Sequence, residues 1–153
     1  MLSCETVRKH IVLAQRGWAK EINVPAISRT IKSADWKTEK HVPVIELPAT
    51  IQAGEDFQVK VSLGEGVPHP NTTEHHIRWI AVYFQPEGAP VPTEIGNFEF
   101  SAHGESASGP NEGPLYTAPS VVVTLRTDKP GLLQALSYCN IHGVWESTAE
   151  VSF

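Results

Sequence analysis

The stretch Phe57-Gln58-Val59-Lys60-Val61-Ser62-Leu63 decides the fold class. Its apolar residues fall at every second position, and a β-strand sends successive side chains to opposite faces, so one face of this segment is buried and the other wet. Working outward, period-two patterns or short buried apolar runs mark further candidate strands at 41–47, 77–84, 97–102, 120–126, 132–139 and 149–153. Between them, 64–66, 86–92, 104–119 and 128–131 carry the Gly, Pro, Asn, Asp and Ser chemistry of turns. Twelve prolines and 11 glycines in 153 residues favour many short strands over long helices. Strand following strand with no intervening helix predicts an all-β antiparallel sandwich of about seven strands. The small polar residues of 104–114 read as a long surface loop within that one domain.

The chain before the first strand behaves differently. Val7, Ile11, Ala14 and Trp18 recur at helical spacing behind Ser3, which predicts a short amphipathic helix there. The apolar run Ile11-Val12-Leu13-Ala14 is too short for a signal peptide, and no small-residue cleavage site follows it closely. Cys4 and Cys139 are too few for a disulfide framework, so a reducing cytoplasm is the expected setting. Arg8, Lys9, Arg16 and Lys20 against Glu5 and Glu21 leave an organellar transit peptide as the alternative. A net charge of -5 argues against nucleic acid as a partner, because phosphate binding requires a basic excess. No apolar run approaches the roughly 20 residues of a membrane span, so no membrane partner is expected.

Seven histidines, His10, His41, His69, His75, His76, His103 and His142, fall mostly where a candidate strand meets a loop. Imidazole together with a thiolate selects transition metals over calcium or magnesium. Cys139-Asn140-Ile141-His142 sets two such donors three residues apart in a turn. His69-Pro70-Asn71-Thr72-Thr73-Glu74-His75-His76 is a loop able to bring a second imidazole back beside the first, although taken alone it reads as a solvated polar loop. His75 and His76 precede a strand in which neighbours point to opposite faces, so only one of them faces a common ion, and the period does not choose which. Glu39-Lys40-His41, taken alone, is a charged turn before a strand.

Together the three segments resemble the superoxide reductases, particularly the one-iron neelaredoxin class of the desulfoferrodoxin family, with its E-K-H loop, H-P-x4-H segment and C-N-x-H-G-x-W segment. The resemblance runs from about Ile27 to the C-terminus and takes in Asp35-Trp36-Lys37 and Ala102-His103-Gly104-Glu105-Ser106. It implies residues 27–153 as an immunoglobulin-like catalytic domain, with 1–26 as an extension outside the family pattern. With only Cys4 outside that region, the chain lacks the four cysteines of the extra iron domain found in two-iron relatives.

The resemblance further implies one mononuclear iron per chain, cycling between Fe2+ and Fe3+. It would be held by His41, His69, His75 and His142 as equatorial ligands and Cys139 as the axial thiolate. Family spacing selects His75 over His76, and His103 becomes a structural or surface residue. Glu39 is implied as the sixth ligand of the ferric state and Lys40 as the charge that draws in superoxide. Rubredoxin or a similar electron donor and a homotetrameric assembly are also implied. The second partners of the imidazole rings are not legible. Two other readings compete: a blue-copper carrier, which wants an axial methionine where this chain has only Met1, and a metal-free immunoglobulin-like binding module.

Overall fold

The computed structural model describes residues 26–153, so the helix expected near the N-terminus lies outside the described residues. Seven strands follow in chain order: β1 (Val44–Glu46), β2 (Asp56–Ser62), β3 (Ile77–Pro86), β4 (Thr93–Glu99), β5 (Ser120–Arg126), β6 (Gly131–Cys139) and β7 (Gly143–Val151). They form two antiparallel sheets, one in the order β1-β2-β5 and the other in the order β4-β3-β6-β7. The compact unit formed by Ile31–Phe153 is the expected all-β, immunoglobulin-like sandwich.

The alternation in β2 is realised in packing. Phe57, Val59 and Val61 point into the sandwich and stand opposite Leu125, Val123 and Val121 of β5, giving one continuous apolar inner face. The facing sheet contributes Ile80, Val82 and Phe84 from β3 and Leu133 and Ala135 from β6. Lys60, on the outer face of β2, instead binds Glu46 at 2.7 Å and Glu65 at 3.1 Å.

Three strands differ from their expected limits by three residues or more, each for a physical reason. β1 is shorter than 41–47, since Pro43 has no N–H to give to a ladder and His41 sits in a turn before it. β4 runs from Thr93 to Glu99 rather than over 97–102. Its register slips opposite Val82 and Tyr83, Ile95 is the residue left over, and both Ile95 and Phe98 reach the core, so period two is broken where the pattern was sought. β7 begins at Gly143 rather than 149, pairing with β6 along its whole length. Its inward positions include Ser147 and Ala149, which give no apolar alternation.

The β6–β7 connection determines where the chemistry sits. Cys139 pairs with Gly143, leaving Asn140, Ile141 and His142 as a three-residue hairpin loop. Gly143 takes φ +81°, the left-handed conformation that closes such a loop and that a side chain would strain. Cys139 is both the last residue of β6 and a fully buried member of the hydrophobic core, so the site is built on the end wall of the sandwich. Leu133, completely buried in that core, tests the packing: Leu133→Ala is expected to lower unfolding free energy by about 3 kcal/mol with an unchanged m-value in urea titrations.

Candidate metal centre

Three separate segments converge beyond the end of β6. The turn before β1 supplies His41, whose carbonyl accepts a 2.7 Å hydrogen bond from the buried hydroxyl of Ser137 on β6. The segment between β2 and β3 supplies His69 and His75. There Thr72 closes a turn, its N–H donating to the His75 carbonyl at 3.0 Å and its Oγ1 accepting from the His75 N–H at 3.1 Å. That turn carries the second imidazole back beside the first. The hairpin loop supplies His142, whose Nδ1 stands 3.5 Å from the Cys139 Sγ.

One donor atom from each of His41, His75, Cys139 and His142 lies within 4.8 Å of all the others. His69 is outside that set of four, yet its ring centroid is 4.9 Å from that of His41 and 4.8 Å from that of His75. Centroids of His142 and His41 are 4.5 Å apart, and those of His142 and His75 are 4.9 Å apart. His41 and His75 face one another across 6.2 Å. The four rings therefore stand around a quadrilateral in the order 41, 69, 75, 142.

The hydrogen bonds show which nitrogens are free. The Nδ1–H of His41 donates to Glu39 Oε1 at 2.6 Å, and that of His69 donates to the Pro70 carbonyl at 2.6 Å. A carbonyl only accepts, so the proton of the neutral His69 ring sits on Nδ1 and its Nε2 offers a bare lone pair. The Nε2 atoms of His41, His69 and His75 are all buried with no partner. Buried polar atoms are rarely left unpaired, and three orphaned imidazole nitrogens beside a thiol are the donor set of a transition metal. Glu39 and the Pro70 carbonyl thus orient the rings, partners that no spacing in the sequence reveals.

Electrostatics favour the neutral, ligating form of these rings. Burial holds the imidazole of His69 down to about 4, against the opposing pull of its bond to Pro70. Burial also lowers His41 and His75, and the nearby Lys40 ammonium lowers all three. Burial pushes the Glu39 carboxyl up, but hydrogen bonds from the ring and backbone N–H of His41 outweigh it and leave the group below its ordinary value. Trp145 stacks on His41 at 5.1 Å with an interplanar angle of 17°, and the Lys32 ammonium lies 5.1 Å from its ring.

The other two described histidines form a separate pair. His76 and His103 stack at 3.7 Å and 11°, with His76 Nδ1 on the Thr72 carbonyl and His103 between Asn71 Oδ1 and the Phe100 carbonyl. Both rings are buried, so His103 is structural rather than superficial. Turn geometry, not strand period, sends His75 to the cluster and His76 away from it.

An all-β sandwich that gathers four imidazoles and a thiol at one end presents the donor set of a transition-metal site. The Desulfoferrodoxin family profile matches residues 33–148. The chain is 58% identical over 121 residues to neelaredoxin of Megalodesulfovibrio gigas, covering 79% of this chain and 93% of that one. It is 57% identical over 121 residues to superoxide reductase of Pyrococcus furiosus, covering 79% and 95%. The reduced superoxide reductase (neelaredoxin) of Archaeoglobus fulgidus superposes with a TM-score of 0.76 at 52% identity, covering 81% of this chain and 99% of that one. The chain belongs to the desulfoferrodoxin family.

The depressed histidines set the acid response of the metal-free chain. Unfolded His69 takes up its proton near 6.5 and the folded residue only near 4, so the unfolded state binds more protons in that window. Stability should therefore fall as pH drops from about 6.5 toward 4, as urea titrations of chelator-treated protein would show, and His69→Gln should flatten the dependence.

Proposed function

We propose that the chain is a superoxide reductase acting in defence against oxidative damage. Superoxide takes one electron and two protons and leaves as hydrogen peroxide. The observation that carries this reading is the quadrilateral of imidazoles beside a buried thiol, with three Nε2 atoms buried and unpartnered. A metal-free binding module would gain nothing from such nitrogens. His41, His69, His75, His142 and Cys139 would hold one iron, which supplies the electron by cycling between Fe2+ and Fe3+. Rubredoxin or a similar carrier would restore that electron, and the assembly would be a cytoplasmic homotetramer with residues 27–153 as its catalytic domain.

This chain's own residues perform the rest. Glu39 and the Pro70 carbonyl keep protons on the Nδ1 atoms of His41 and His69 and so keep the opposite nitrogens free. Neutral rings and one thiolate leave a divalent ion with net positive charge, and Lys40 adds to it. A single charge about 6 Å away contributes up to roughly 3 kcal/mol at an effective dielectric of about 20, whereas charges well beyond the screening length of about 8 Å contribute little. The local field thus outweighs the net charge of -5 and attracts a small anion. Glu39, now on His41, is the carboxylate we assign to the ferric state, where it would offset the added charge.

The decisive experiment combines iron analysis with a superoxide assay that separates reduction from dismutation. Peroxide produced without oxygen, at the expense of a reduced donor, is expected; oxygen release or copper at the site would overturn the reading. Lys40→Ala should slow the second-order reaction in pulse radiolysis and weaken its dependence on ionic strength. Glu39→Gln, whose amide oxygen can still accept from His41 Nδ1–H but which carries no charge, should leave reduction nearly intact yet alter the visible spectrum of the ferric protein, and an identical spectrum across pH would contradict the assignment.

A further inference from the structure

Asn140 lies between Cys139 and His142 in the hairpin loop, and both ends of its side-chain amide are engaged by backbone groups. Its side chain reaches across to the other ligand-bearing segment and straddles His75. The amide Nδ2 donates to the carbonyl of Glu74, the residue before His75, at 2.8 Å. The amide Oδ1 accepts from the N–H of His76, the residue after it, at 2.9 Å. The backbone N–H of Asn140 adds a third bond, to the His76 carbonyl, at 3.2 Å. Since Ile77 pairs with Cys139 at the end of the β3–β6 ladder, these bonds continue the ladder one step further, a side-chain amide standing in for the missing strand. Only a group with a donor and an acceptor on one carbon, as in an amide, makes both side-chain bonds, and the partners' fixed polarity sets the orientation of the amide.

The same segment is gripped from another loop. Asn111, which holds φ +63°, accepts from the Thr73 N–H at 2.8 Å and donates to the Glu74 carboxylate at 2.9 Å. The small, polar, strandless stretch around it therefore has a task beyond linking β4 to β5.

We propose that Asn140 is a positioning residue that fixes His75 relative to Cys139 and His142, with Asn111 bracing the same segment, so that the metal meets ligands already assembled. This rests on the metal-site reading above. The two asparagines act through the His75 backbone, in the manner of outer partners that orient metal ligands.

The test starts from the iron-loaded full chain and uses competition with a ferrous chelator together with the thiolate-to-iron absorption band of the ferric form. Asn140→Ala should loosen iron by about 10- to 100-fold and shift the band. Asn140→Asp keeps an acceptor for His76 but loses the donor for Glu74, and should fall between wild type and Asn140→Ala. Asn111→Ala should cost less, and Asn97→Ala, exposed on β4, should match wild type. Wild-type affinity and an unshifted band in Asn140→Ala overturn the proposal while leaving the reductase reading intact. A wild-type chain that takes up no iron overturns both. Should Asn140→Ala fail to fold, wild-type affinity in both Asn140→Asp and Asn111→Ala overturns the proposal instead.

Discussion

Burying an imidazole nitrogen without a partner costs about 1–3 kcal/mol, and this protein does so three times within one cluster. Set against a net domain stability of about 5–15 kcal/mol, that is a heavy concentration of unfavourable contacts, and much of the surrounding structure exists to hold it in place. Glu39 and the Pro70 carbonyl occupy the nitrogens that water would otherwise use, leaving the opposite lone pairs no escape by tautomer exchange. Trp145 closes one side by stacking on His41, and Cys139 closes the floor from within the core. A cation bound there would turn these unfavourable contacts into bonds and so couple metal binding to stability.

The two sheets divide the work accordingly. Apart from Cys139 at its end, their interior is ordinary apolar packing with no role in chemistry, and it provides a stiff end wall. On that wall the candidate ligands are carried by a turn, a folded-back loop and a hairpin, none of which could hold its side chain alone. Each is tied to something rigid: Ser137 on β6 binds the His41 carbonyl, and the His69–His75 segment is bound to the hairpin. Local positive charge at such a mouth acts at short range, which is how an acidic protein can serve an anionic substrate.

The core of the fold was legible where one rule governed it. β2 alternates cleanly because one face is buried and the other solvated, and the fold class followed from it. β4 was misplaced because the extra residue Ile95 breaks the period, and the first half of β7 was invisible because its inward positions are small or polar. The ligand-type residues were legible as short motifs, and the structure brings His41, His69, His75, His142 and Cys139 together. The choice between His75 and His76 was not open to strand periodicity, because it is made by the Thr72 turn. The ring-orienting groups were hidden for a deeper reason. A proline carbonyl and an asparagine in a patternless loop carry no sequence signal, and their role exists only once distant segments have met.

That distance has a consequence in time. The hydrogen bond from Ser137 to the His41 carbonyl joins positions 96 apart in the chain, and the side-chain bonds that link Asn140 to His76 and to Glu74 join positions 64 and 66 apart. Contacts so remote in sequence close late, after the loop entropy of a β-topology has been overcome. A metal held by all of His41, His69, His75, His142 and Cys139 would therefore find its full set of donors only after those contacts form, unlike one in small fingers whose ligands all lie close together. Completion of such a site would then report that the last long-range contacts have formed.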